Sequence, residues 1–75
     1  MAMSILETIA DGLAKEALAL EEELDDPDFV DKVAKQIGSA SPTTEEAFKT
    51  AVRMRRAERN AQRFMVQLKE RKAGG

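Results

Sequence analysis

The chain contains no cysteine, no histidine, no tryptophan and no tyrosine. Without cysteine there are no disulfides, which excludes the stapled mini-proteins of oxidising compartments. The commonest zinc and copper ligands are missing, as is the side chain that usually serves as a general base near neutral pH. Most of the rings on which unpaired bases stack are missing too. No apolar run approaches the ~18–20 residues that span a bilayer. Glu7 and Asp11 interrupt an N-terminal stretch that has no basic leader, so neither a membrane span nor a signal peptide is expected. The expected location is cytoplasmic. Met1-Ala2 carries no weight in this reading, and Gly74-Gly75 reads as a frayed end.

Large apolar side chains are also few. Hydrophobic residues make up 43% of 75, but 12 of them are alanine. A chain of this length forms one domain with a thin core, and self-association is the remaining source of stability.

Charge is plentiful and unevenly placed. The chain as a whole is net -2, yet residues 1–40 carry ten acids and three bases while residues 41–75 carry four acids and nine bases. Such asymmetry suits salt-bridged surfaces, a partner contact or a basic arm for phosphates.

Helix punctuation divides the sequence into three segments, at about 4–25, 27–37 and 43–72. Ser4 and Glu7 have the spacing of a capping box. Leu6, Ile9, Leu13, Ala17, Leu20 and Leu24 follow at intervals of three and four, widened by Ile5, Ala10, Ala14 and Leu18. Gly12, inside this segment, either admits a neighbouring helix or is merely tolerated. Asp26 is the expected N-cap of the second helix, with Pro27 in its first turn and Gly38 at its C-terminus. Phe29, Val30, Val33 and Ile37 form its apolar face; Asp28 with Lys32 and Asp31 with Lys35 are the expected outer pairs. A loop is expected over residues 39–44, and the third helix is capped by Ser41, with Pro42 following, or by Thr43 with Glu46.

The third helix has three faces at ~100° per residue. Ala47, Met54, Ala57, Ala61, Phe64, Met65 and Leu68 form the expected core stripe. Arg53, Arg56, Asn60, Arg63, Gln67 and Arg71 form a polar face, of which Arg53, Arg56, Asn60, Arg63 and Arg71 are candidate anion ligands. Phe48, Val52 and Val66 fall on neither, beside Arg55 and Arg59, and these five are the candidate face for a partner or a second copy.

Enzymatic chemistry has little to work with. Ser39, Ser41, Thr43 and Thr44 have no histidine to activate them. The acidic run from Glu21 to Asp31 lacks the spacing and central glycine of a calcium loop. No catalytic residue, cofactor or metal is expected.

The expected fold is therefore all-α, with the two long helices as an antiparallel hairpin, the short helix crossing at one end, and dimerisation into a helical bundle. The expected role is a non-enzymatic protein–protein interaction or regulatory module acting through the third helix, and a homodimer is the first choice of assembly. The alternatives are a nucleic-acid-binding module using the arginine face, or a structural subunit of a larger assembly. A helix-turn-helix is disfavoured by the length of the expected loop, since that motif turns in 3–4 residues.

Overall fold

A computed structural model of the chain describes residues 3–74; Met1, Ala2 and Gly75 lie outside that range. Its elements are α1 (Ile5–Leu24), α2 (Phe29–Ala40) and α3 (Pro42–Gly74). No strand occurs among the described residues, so the chain is all-α. No helix among them is long and apolar enough to cross a membrane.

The start of α1 follows its local chemistry. The Ser4 hydroxyl accepts from the Glu7 N–H at 3.1 Å, and the Ser4 N–H donates to the Glu7 carboxylate at 3.3 Å. Ser4→Ala is expected to lower stability by about 0.5–2 kcal/mol. Chemical denaturation measures this, and an unchanged midpoint would mean that the first turn is frayed. Gly12 is exposed, and nothing within 4 Å would meet a Cβ placed there. It admits no neighbour within the chain, so Gly12→Ala should raise stability by roughly 1 kcal/mol through helix propensity alone. A loss in the same denaturation assay would contradict that reading.

The turn out of α1 is built from acids. Asp25 takes the left-handed conformation (φ 52°) that glycine usually supplies, and its N–H reaches the carbonyls of Glu21 and Glu22. Asp26 does not cap α2 as expected. Its carboxylate accepts from the Asp28 N–H at 3.0 Å and from the Lys32 ammonium at 3.0 Å, which tightens the turn and delays α2 to Phe29. Lys32 therefore pairs with Asp26 rather than Asp28, and no Asp31–Lys35 pair forms among the described residues.

The expected loop at 39–44 is reduced to a single residue. Gly38 does not end α2, which continues to Ala40. A Cβ on Gly38 would meet only the Glu45 carboxylate, the far end of a flexible side chain. Ser41 closes α2 by donating its N–H to the Ile37 carbonyl at 2.9 Å. It caps α3 by accepting from the Thr44 N–H at 3.1 Å. Such a junction is shorter than a helix-turn-helix turn.

This short junction determines which face of α3 is covered. Phe48 is fully buried and Val52 nearly so, packed with Ala10, Ala14, Ala17 and Leu18 of α1 and Val30 and Ala34 of α2. The alanines at 10, 14 and 17 form a shallow face that receives the phenylalanine ring. Of the large residues expected on the core face of α1, Leu18 is buried and Leu13 packs against the core, whereas Ile9, Leu20 and Leu24 are exposed.

The long helices do not form an antiparallel hairpin. Arg55 reaches Asp11 and its neighbour Arg56 reaches Glu21. These two acids lie ~15 Å apart at 1.5 Å per residue, so α3 crosses α1 over the stretch between them. Beyond the crossing, residues 59–67 face the C-terminal end of α1 and the turn at 25–27. An antiparallel hairpin would set them beside its N-terminal half. Past this point α3 overhangs the other helices; all its residues from Arg56 to Gly74 are exposed.

The result is a flat, open shape of 53 × 35 × 14 Å. Its radius of gyration is 15.4 Å, against about 11 Å for a typical domain of this length. It exposes 5902 Å², whereas a folded monomer of 8.3 kDa exposes about 4,600 Å².

Candidate interaction surface

The residues expected to form one partner face are separated by the fold. Phe48 and Val52 belong to the chain's own core, because α1 and α2 cover the first turns of α3. Arg55 is held by Asp11 in a two-pronged contact, with Nε at 2.7 Å from one carboxylate oxygen and Nη2 at 2.8 Å from the other. Arg59 and Val66 remain solvent-facing and line an open cleft of ≈ 970 Å³ where α3 diverges from α1. Its opposite wall carries Glu21, Glu22, Asp25 and Asp26.

The arginine face is partly engaged within the chain. Arg56 donates to both carboxylate oxygens of Glu21 at 3.3 Å, and Arg63 donates to the Asn60 side-chain oxygen at 2.6 Å. Among the described residues, Arg53 and Arg71 make no ion pair, and both are exposed. The acidic first half and basic second half thus meet within one chain through Asp11–Arg55 and Glu21–Arg56. Sequence reasoning missed Asp11 as a partner, and the charge asymmetry between the halves was the signal that could have found it.

Asp11 is held below the ordinary carboxylate value, chiefly by the side-chain hydrogen bond from Arg55, with partial burial opposing and the arginine charge assisting. Asp26 is lowered in the same way by its bond from Lys32. A carboxylate whose pKa is lower in the folded state stabilises the fold above its unfolded value. That contribution is lost as pH falls through the folded value. Acid should therefore weaken the fold below about pH 4, and Asp11→Asn should flatten that dependence. Denaturation midpoints across the acid range measure this; an unchanged slope in the variant would contradict it.

The expected core stripe of α3 is uncovered except at Ala47, which packs partly against the core. Met54, Phe64, Met65 and Leu68 are exposed, with Met54 at 67% and Phe64 at 56%, and Ala57 and Ala61 are open between them. At ~100° per residue this stripe lies roughly half a turn from Phe48 and Val52. One helix therefore has two apolar faces on opposite sides, and the chain covers only the shorter. The periodicity was correct, but the assignment of inner and outer was reversed.

Among the described residues no cluster of three or more potential metal ligands occurs. Comparison with known proteins found no matching family model, no similar curated sequence and no similar solved structure.

Proposed function

We propose that this chain is a small non-enzymatic protein–protein interaction module whose docking element is the outer face of α3. The observation that carries the reading is the uncovered stripe Met54, Ala57, Ala61, Phe64, Met65 and Leu68. Small residues in its centre and large ones at its ends form a trough along the helix, which suits the apolar face of another helix. The surplus of exposed area, about 1,300 Å² beyond that of a typical monomer of this mass, exceeds the ≈ 800 Å² per partner of a standard interface. The nucleic-acid reading has less support, because Arg56 of the arginine face is paired with Glu21.

A photo-crosslinking residue at position 64 tests the reading in living cells. Protein adducts are expected there and not at Gln36 on the exposed side of α2, and Met54→Asp should abolish them while leaving Phe48 buried. Adducts to nucleic acid alone, or protein adducts that ignore Met54→Asp, would overturn it.

A further inference from the structure

We propose that the occupant of this outer face is α3 of a second copy of the chain, running antiparallel. The inference rests on the docking reading above and names its partner. Three observations support a second copy rather than an unrelated helix.

The first is periodicity. Ala47, Thr50, Met54, Ala57, Ala61, Phe64 and Leu68 recur at three and four residues without a break. A seam of alternating threes and fours sustained over three heptads is the signature of a two-helix supercoil. From Thr50 onward it runs along the side of α3 that α1 and α2 leave free, while Ala47 packs partly against the chain's own core, so two copies can meet with their bodies on opposite outer sides.

The second is charge. The first turns of α3 carry Glu45 and Glu46, while the last carry Lys69, Arg71 and Lys72. A parallel pair would set six cations together within about one Debye length. An antiparallel pair sets the basic end of each copy against the acidic end of the other and also opposes the helix dipoles. Glu46 is available for this role, since its carboxylate is largely exposed and lies no closer than 4.0 Å to Lys49.

The third is shape. Centring the pair between Ala57 and Ala61 places each of these alanines opposite the other in the second copy, where backbones approach most closely. Met54 then meets Phe64 of the second copy, Thr50 meets its Leu68, and the Asn60 side chains face each other. In this register the two Glu58 side chains also face each other. A parallel pair would instead set Glu58 against Arg53 of the second copy.

The experiment uses the full chain. Sedimentation equilibrium at micromolar concentration should show a dimer, and Ala61→Arg should weaken it by more than about tenfold, because the seam offers the charge no partner. Ala61 is exposed and outside the buried core, so residues 44–55 of the variant should stay as protected from amide exchange as in the natural chain. Glu58→Gln should tighten the dimer by relieving the repulsion. A nitroxide on Lys72→Cys, the only thiol in the chain, should lie about 40 Å from its copy at 1.5 Å per residue. A parallel pair with axes 8–10 Å apart would give less than about 20 Å. A monomeric natural chain would overturn the second copy while leaving crosslinks at position 64 as a separate test of docking. A dimer unaffected by Ala61→Arg would overturn its location. Weaker association of Glu58→Gln, or the short spin–spin distance, would overturn the antiparallel arrangement.

Discussion

Phe48→Ala is expected to remove about 3–5 kcal/mol of stability, the range for deleting a buried phenylalanine ring. Among the described residues Phe48 is the one large side chain with no exposed surface, and it stands where α1, α2 and α3 meet. Four of the seven buried apolar residues around it are alanines, which cannot collapse into the space a ring would leave. At roughly 0.05–0.15 kcal/mol per residue a chain of 75 has about 4–11 kcal/mol in total, so the variant should lose a large share of its stability. Far-UV circular dichroism during urea denaturation measures it. A midpoint close to that of the natural chain would mean that the core lies elsewhere, on the stripe that the periodicity alone suggests.

Ala14→Leu should have the next largest effect, a loss of about 1–3 kcal/mol by overpacking. Ala14 has no exposed surface and lies in the stretch where α3 crosses α1. The same helix offers a control: Ile5 is 80% exposed, and Ile5→Ala should change stability by no more than about 0.5 kcal/mol. Simple reckoning by hydrophobic size gives the opposite order, since it adds bulk at position 14 and removes it at position 5. Denaturation of the two variants side by side decides between size and position. A more costly Ile5→Ala would contradict the packing described here.

The features legible in the sequence were those determined within a few residues. Ser4 and Glu7 need only each other, and Ser41 followed by Pro42 marks the start of α3 wherever that helix packs. Gly38 misled because glycine after an apolar run usually ends a helix. Here α2 runs through it to Ala40, and Ser41 ends the helix instead. Asp26 misled as well, since Lys32 and the Asp28 N–H draw its carboxylate into the turn.

The faces of α3 show the larger difficulty. Periodicity reveals that Met54, Ala57, Ala61, Phe64 and Leu68 share a side, and that Phe48 and Val52 share another. It does not reveal which side the rest of the chain covers. The single-residue junction at Ser41 and the alanine face of α1 decide that, and both act between elements. The candidate surface was therefore visible as a pattern and misread as a core.

Amide hydrogen exchange along α3, followed as protein concentration rises, tests most directly the claim that its outer face is a docking surface taken by a second copy. Residues 44–55 lie against α1 and α2 and should be protected at every concentration. Residues 57–70 have no tertiary support within the chain, and isolated helices of that length are marginal in water. Their protection should rise with concentration and reach that of the first half. Rapid exchange over 57–70 that ignores concentration would contradict the account.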